Sequence, residues 1–213
     1  MALRQLLRRL SEDWGAPHLA RTVPRLTHPL PRNITVTAKE RAAILEMCPP
    51  YLRCWVLMCS DCAIRSGTAA TLTPNHYDAE KGTLTFTTKY LENQTLPVTE
   101  ELAALFATVK PDADRNLPWV ALLHRLGHIK PVALRRAFKR AARAAGITRT
   151  VTPHDMHRAT AVNVHEVTRD IRLVQALLGH RRLESTLYYL DHHNTPVQRS
   201  TLEAAKLATE RVQ

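Results

Sequence analysis

Aromatic residues are scarce in this chain, and it contains no long hydrophobic run. Phe, Trp and Tyr make up 5% of the 213 residues, so stacking of single-stranded bases on aromatic rings is a poor explanation for any nucleic-acid binding. No apolar run approaches the roughly 20 residues that a membrane-spanning helix needs. The N-terminal residues place arginines inside their apolar stretch and lack a small-residue cleavage pattern, which argues against a secretory signal. We therefore expect a cytoplasmic protein with no membrane partner.

Acidic residues are also few compared with basic ones. The chain has 19 Asp and Glu against 30 Lys and Arg, which gives a formal net charge of +11. A chain of this length and charge is expected to bind a polyanion, with nucleic acid the first candidate and an acidic membrane surface the second. Hydrophobic residues make up 45% of the chain, which is enough for the core of one ordinary domain and excludes wholesale disorder.

The four cysteines are confined to a short segment. Cys59 and Cys62 form a C-x-x-C motif, which raises a zinc or redox interpretation. Cys48 and Cys54 provide no second C-x-x-C, however, and no histidine pair follows at a zinc-finger spacing. The surrounding segment is strongly apolar, as in a buried helix. We expect reduced thiols in the core and neither a metal nor another cofactor.

The pattern of residues predicts two regions. Residues 1–33 have leucines at helical spacing and then four prolines, which indicates a short helix followed by a linker arm. Residues 34–213 are predicted to form one α+β domain, mostly helical with a small antiparallel β-sheet. Within it, Leu84 and Phe86 alternate with threonines, and a similar pattern at residues 95–98 completes a hairpin. Helices are predicted at residues 37–47, 51–64, from 99, 131–146, from 152, 169–179 and from about 195.

Basic residues are concentrated in the C-terminal half. Between Arg135 and Arg182 there are eleven Arg or Lys against three acidic residues. Three arginines, at positions 136, 140 and 143, fall on one stripe of a predicted helix, which suits contact with DNA phosphates, although a solvated face would show the same pattern. The predicted partner is duplex DNA, and the candidate DNA-binding residues are Arg135, Arg136, Lys139, Arg140, Arg143, Arg181 and Arg182.

Two segments in the C-terminal third carry a family resemblance. They read TPHDMHRATA at residues 152–161 and LLGHRRLESTLYYL at residues 177–190. They resemble the catalytic domain of the tyrosine recombinases, or phage integrases, which show T-P-H-D-L-R-H-T, then L-L-G-H, and a tyrosine nine residues after that histidine. Here His180 is followed at that spacing by Tyr189, and His154 precedes Tyr189 by 35 residues.

Two upstream segments extend the resemblance to residues 34–195. CAIRSGTAATL is similar to the family's G-L-R-x-S-E-L-x-x-L and aligns Arg65 with its first catalytic arginine, although Thr68 replaces the usual glutamate. TTKYLENQTLPVTEEL resembles the family's strand-turn-strand segment, with Lys89 at the turn. Four motifs in the same order make a strong match.

The resemblance implies a site-specific DNA recombinase, an integrase of the kind found on phages and mobile elements. Such an enzyme breaks and rejoins DNA through a 3′-phosphotyrosyl intermediate, without metal or cofactor, usually as a tetramer. A tyrosine would preserve the bond energy covalently, and arginines would stabilise the phosphate. A lysine can protonate the leaving oxygen, and histidines can donate to the phosphate or relay protons. The candidate catalytic residues are Arg65, Lys89, His154, His157, Arg158, His180 and Tyr189.

One position departs from the family more seriously. Where the family has its second arginine, three residues after His154, this chain has His157, and the arginine follows as Arg158. On a helix both positions neighbour His154, so Arg158 could recover the phosphate contact. Equally, the changed geometry could weaken the site. On helix geometry alone we expect activity to be retained.

Three functions stay open. The first is an active recombinase, the second a non-catalytic DNA-binding relative, and the third a relaxing enzyme of the type IB topoisomerase kind. Family members usually carry an N-terminal DNA-clamping domain, for which 33 residues are too few, so we expect a fragment, a minimal form or a degenerate relative. Residues 195–213 are a candidate for a helix that the family often exchanges between protomers, or for a helix packed in cis. The family resemblance also leads us to expect association with the nucleoid of a prokaryotic or phage-infected host.

Overall fold

The computed structural model describes residues 2–14, 36–88, 92–124, 127 and 129–190. The chain divides into two compact units, residues 1–33 and residues 34–213. In the first unit, α1 is a helix over Ala2–Trp14 whose apolar and basic residues alternate at helical spacing. The C-terminal helix predicted from about residue 195 lies outside the described residues.

The second unit is mostly helical. Its helices are α2 (Ala38–Glu46), α3 (Pro50–Ser60), α4 (Ser66–Ala69), α5 (Glu100–Ala107), α6 (Trp119–His124), α7 (Pro131–Ala144), α8 (Pro153–Thr168), α9 (Ile171–Leu178) and α10 (Leu183–Leu190). Its strands are β1 (Tyr77–Asp78), β2 (Thr83–Thr87) and β3 (Asn93–Pro97). The predicted fold class, mostly helical with a small antiparallel sheet, is therefore confirmed.

Helix α3 is the centre of the core. It is apolar on all sides, and its residues from Cys54 to Ser60 are buried, as expected of a helix surrounded by others. It packs against α4, α5, α6, α7 and α8. The indole of Trp55 meets the ring of Phe138 on α7 edge-on, with 6.5 Å between the ring centroids.

The predicted end of this helix, at residue 64, is wrong. The helix ends at Ser60, and the chain then turns through Ala63, whose φ of 49° lies in the left-handed region. A right-handed helix cannot continue through such a residue. The turn begins at Asp61, whose carboxylate accepts hydrogen bonds from the side chains of Arg41, Ser60 and Thr99 and so joins three elements.

All four cysteines are free and buried around α3. Burial raises the pKa of the Cys48 thiol to about 11 and that of Cys62 to about 12. Burial also raises the pKa of Cys54 and of Cys59, which lie within α3. These thiols therefore pack as small hydrophobic groups.

The sheet has the order β1-β2-β3, and both pairs of strands are antiparallel. Leu84 pairs with Leu96, and both side chains are buried with Phe86, whereas the intervening threonines face outward. The predicted hairpin is confirmed, and its last described bond runs from the Thr88 amide to the Glu92 carbonyl at 2.8 Å. Strand β1 was not predicted, because two residues show no periodicity.

The start and end of α8 and α9 are set by local hydrogen bonds. A capping box between Thr152 and Asp155 opens α8, as predicted. The carboxylate of Asp170 accepts bonds from the first amides of α9, at 2.8 and 3.1 Å, so this helix begins two residues later than predicted. Gly179 ends α9 in the left-handed conformation, with φ of 57°.

A small second cluster connects the Ala63 turn to the C-terminal helices. Ala63 is buried there with Ala161 of α8 and with Val174 and Leu178 of α9. The turn after α3 is thus packed against α8, which carries His154 and His157, and against α9, which precedes His180.

We expect Ala63→Val to destabilise the chain by about 2 kcal/mol or more, because a β-branched side chain is strained at a positive φ and has no room in this cluster. Ala63→Gly is the matched control, since glycine tolerates the backbone but loses one buried methyl, and we expect its change to stay within about 1 kcal/mol. Urea unfolding at pH 7 measures both. Equal stability of the Val variant and the wild type would contradict the strained, packed turn.

Candidate active site

Arg65 is the residue immediately before α4. It is half-buried and serves as the N-cap position of that helix, two residues after the left-handed Ala63. The start of α4 is held by Trp55, whose indole N–H donates to the Ser66 carbonyl at 2.9 Å. The position of Arg65 is therefore determined by the central helix on one side and by the Ala63 turn on the other.

The first turn of α8 carries the histidine-arginine motif. The Asp155 carboxylate is buried and accepts from the Thr152 amide at 2.7 Å and from its hydroxyl at 2.8 Å. The Thr160 hydroxyl, further along the helix, donates to the Ser60 carbonyl at the end of α3. These bonds fix the rotation of α8 and hence which of its residues face the Ala63 turn.

His154 and His157 lie one helical turn apart with their rings nearly parallel. The ring centroids are 5.9 Å apart and the ring planes differ by 13°. His154 is exposed, whereas His157 is only 2% exposed. The ring of His157 lies beside the backbone carbonyl of Ala63, which acts to raise its pKa. The residue at the family's arginine position is therefore a buried ring beside the Ala63 turn.

The charges around His157 show which side chains share this region. The pKa of His157 is lowered from 6.5 to about 3, mainly by desolvation and then by the neighbouring charges of His154, Arg65 and His180. Partial desolvation also lowers the pKa of His154, with Arg158 and Arg65 acting in the same direction and Asp155 opposing them. The rings of His154 and His157 are therefore neutral near pH 7, and Arg65 and Arg158 carry positive charge in this cluster.

Arg158 is 7% exposed and follows His157 on α8. Its charge acts on the exposed ring of His154. The structure thus brings together five of the predicted site residues, contributed by the α3–α4 turn, by α8 and by the turn after α9. They are Arg65, His154, His157, Arg158 and His180.

His180 lies in the turn after Gly179 and is half-buried. Its Nδ1 is 3.1 Å from the Thr186 hydroxyl on α10, and Thr186 is fully buried. Its backbone amide donates to the Gln175 carbonyl at 3.1 Å, and the Gln175 side-chain amide donates back to its carbonyl at 2.9 Å. Both the ring and the backbone of His180 are therefore held in place.

The remaining two predicted catalytic residues are only partly described. Tyr189 belongs to α10, one helical turn after Thr186, but its side chain lies outside the described residues. Lys89 follows Thr88 at the end of β2 and also lies outside them. Helix α10 therefore carries both the residue that binds His180 and the predicted nucleophile.

Sequence reasoning missed three residues that support this site. Thr186 and Gln175 contact His180 directly, and Gln94 of β3 contacts the helix that precedes it. None belongs to a motif of reactive residues. They come close to His180 through the packing of the helices and strands, which the residue pattern does not reveal.

The candidate DNA-binding residues lie at the surface. In α7, Leu134, Phe138 and Ala141 are buried as predicted, so the opposite side of the helix faces outward. Each of the seven candidates is exposed: Arg135, Arg136, Lys139, Arg140, Arg143, Arg181 and Arg182.

Among the described residues, no three His, Cys, Asp or Glu side chains are grouped so that they could hold a metal ion. No helix in the same part is both long and apolar enough to cross a membrane.

Because His157 is buried, we expect the free energy of unfolding to depend on pH. Between its ordinary pKa of 6.5 and the folded value of about 3, the unfolded chain binds a proton that the folded chain does not. The free energy of unfolding therefore falls as the pH falls through this window, by up to about 1.4 kcal/mol per pH unit from this group. We expect His157→Asn, which replaces the titratable ring with a neutral polar side chain, to reduce that slope between pH 7 and pH 5. Urea titrations with equal slopes for wild type and variant would contradict a neutral buried ring.

The sequence of this chain is similar to those of known integrases and recombinases. Residues 35–195 match the model described as the Phage integrase family. An integrase/recombinase of Escherichia coli is 42% identical over 65 residues, which are 30% of this chain and 19% of that protein. The tyrosine recombinase XerA of Pyrococcus furiosus is 27% identical over 190 residues, which are 84% of this chain and 65% of that protein. The chain thus covers less than two thirds of the length of these relatives.

Solved structures share the fold. A crystal structure of XerA recombinase has a TM-score of 0.65 at 16% identity and covers 98% of this chain and 76% of that one. A lambda integrase dimer bound to a COC′ core site has a TM-score of 0.69 at 18% identity and covers 93% of this chain and 60% of that one. Because the family model matches most of the residues, the chain belongs to the phage integrase family.

Proposed function

We propose that this chain is a site-specific DNA recombinase that cuts and rejoins duplex DNA with Tyr189 as its nucleophile. The observation that carries the proposal is the convergence of Arg65, His154, Arg158 and His180 in one cationic cluster. Helix α10, which bears Tyr189, is joined to that cluster through the contact between His180 and Thr186. These residues come from three segments that are distant in sequence and would not otherwise be expected at one place.

The chemistry requires one bond to form and one to break. The Tyr189 oxygen attacks the scissile phosphorus, the bond from phosphorus to the 5′ oxygen breaks, and the tyrosine becomes linked to the 3′ phosphate. A general acid supplies the proton for the 5′ hydroxyl, and we assign that role to Lys89. Because its pKa is lowered, His154 is neutral near pH 7 and can take up the phenolic proton. Reversal of the same steps rejoins the strand.

The phosphate gains negative charge in the transition state, and the arginines are the groups that stabilise it. Arg65 and Arg158 keep their charge at any physiological pH and donate in fixed geometry. His157 cannot supply a positive charge, because its buried ring is neutral near pH 7. We therefore assign the second phosphate contact to Arg158.

His157 then has a positioning role. Its buried ring lies beside the Ala63 carbonyl and supports the turn that ends two residues before Arg65. A neutral ring suits this place because it adds no further cation to a cluster that already contains two arginines. The transposed order of His157 and Arg158 thus separates two tasks, holding the turn and binding the phosphate.

Covalent trapping tests the proposed reaction. The protein is incubated with a pool of nicked duplexes from which the released fragment diffuses away, and protein–DNA adducts are resolved on a denaturing gel. We expect an adduct with the wild type and none with Tyr189→Phe. Tyr188→Phe is the matched control, because it removes the same hydroxyl from the adjacent residue of α10 and should leave the adduct intact.

The arginine assignment is tested in the same assay. We expect Arg158→Ala to reduce the rate of adduct formation by a factor on the order of 10² or more, as for the loss of a fixed charge-stabilising donor. His157→Asn should reduce it much less, because asparagine keeps a neutral polar side chain beside the Ala63 turn and leaves Arg158 in place. A greater loss in His157→Asn than in Arg158→Ala would contradict the assignment.

Two other outcomes identify the other candidate functions. Salt-sensitive duplex binding that is equal in wild type and Tyr189→Phe, without any adduct, would identify a non-catalytic DNA-binding relative. Relaxation of supercoiled plasmids regardless of sequence would identify an enzyme of the type IB topoisomerase kind.

The proposed partner is duplex DNA, bound along the exposed basic face of α7. Arg136, Arg140 and Arg143 are spaced by four and three residues, so they form one line along that helix and suit a run of phosphates. We further propose that the chain assembles as a tetramer on two DNA sites, as the tyrosine recombinase resemblance implies, and that it acts at the nucleoid of its host.

Loss of these arginines should lower the salt dependence of DNA binding. We expect each of Arg136→Ala, Arg140→Ala and Arg143→Ala to reduce the slope of log K against log salt concentration by about 0.9, the value for one phosphate contact. Lys81→Ala is the control, because this exposed lysine is paired with Asp78. Binding isotherms between 50 and 200 mM salt, the range over which such contacts show, measure the slope. An unchanged slope in all three variants would contradict this binding face.

A further inference from the structure

Gln94 joins the hairpin to the helix that ends at His180. Its side-chain amide, Nε2, donates to the Ala176 carbonyl and to the Leu177 carbonyl, and both bonds are 2.9 Å long. These carbonyls belong to the last turn of α9, where intrahelical hydrogen bonds run out, and the Ala176 carbonyl also accepts from the Gly179 amide at 3.1 Å. Gln94 therefore ties strand β3 to the C-terminal end of α9.

The same side chain lies against Gly179. A Cβ atom at Gly179 would be 2.6 Å from Oε1 of Gln94, which is closer than such atoms approach in proteins. The residue also has a φ of 57°. A glycine at this position therefore both permits the turn and makes room for Gln94, and His180 is the next residue.

The sheet gives this contact a fixed position. Gln94 pairs with Phe86 across the β2–β3 ladder, and Phe86 is buried in the core. The core therefore fixes the position of the Gln94 amide. Through its two hydrogen bonds, this amide in turn fixes the position of the turn that carries His180. Pairing between His180 and Gln175 then fixes the backbone of the histidine within the turn.

We infer that Gln94 is a positioning residue that sets the place of His180 by holding the end of α9 against the sheet. Its effect on DNA cleavage rests on the proposed function, whereas its effect on the His180 ring does not. Gln94 is only partly buried, and a hydrogen bond of this kind contributes a small part of the stability of a folded chain, so we expect the variants to fold. The consequence of losing it should appear at His180.

The first test needs no activity. Gln94→Met removes both donors at nearly the same side-chain length and adds no charge, and Gln94→Ala is a second variant that leaves the space open. Thr95→Val is the matched control, since it removes the 2.9 Å bond between the Thr85 and Thr95 hydroxyls, which both face solvent on the same two strands. The readout is the NMR signals of the His180 ring, assigned with His180→Ala.

We expect the His180 signals to shift in both Gln94 variants and to coincide with the wild type in Thr95→Val. Thermal unfolding of each variant confirms that the comparison is made on folded protein. His180 signals that are identical in wild type and both Gln94 variants would overturn the inference, whatever the cleavage assay shows.

The second test uses single-turnover adduct formation. Gln94→Met should lower the cleavage rate by about tenfold without changing the Kd for the duplex, because misplacement of a catalytic group affects the transition state. In a His180→Ala background the same substitution should cause no further loss. A full additional tenfold loss there would show that Gln94 does not act through His180. If the wild type forms no adduct, the proposed function fails, and the NMR comparison alone decides the role of Gln94.

Discussion

The packing of the buried His157 ring beside the Ala63 carbonyl is the contact on which the site depends. It joins α8 to a turn that the chain adopts only because Ala63 takes a left-handed conformation. The small cluster that includes Val174 and Leu178 packs the same turn against α9. Arg65, His154 and His180 come from three separate segments, and this turn is where those segments meet.

Neutral histidines reduce the free-energy cost of placing two arginines in one cluster. Two arginines close together repel each other and lose hydration, and a buried imidazolium would add to both costs. Desolvation keeps the His157 ring neutral, with a pKa of about 3, and lowers the pKa of His154 as well. In our account the positive charges of the arginines therefore bind the phosphate. The neutral imidazoles transfer protons and form hydrogen bonds.

Local signals in the sequence predicted much of the fold. The capping box at Thr152 set the start of α8, because both of its hydrogen bonds lie within four residues. The end of α3 was not predicted, because the apolar run continues past Ser60 and only the tertiary setting explains the left-handed Ala63. The site motifs marked His157 as catalytic but could not show that its ring is buried. The hydrogen bonds from Gln94 to α9 join residues about 80 apart in the sequence, so no local pattern predicts them.

The central claim is that Arg158, displaced by one position, stabilises the charge on the scissile phosphate. The most direct measurement compares adduct formation on nicked duplexes that carry either the natural phosphate or an uncharged methylphosphonate at the cleavage site. If Arg158 acts on that charge, Arg158→Ala should be far slower than wild type on the phosphate and close to wild type on the methylphosphonate. An equal loss on both substrates would contradict the claim and would assign Arg158 to the structure of the site.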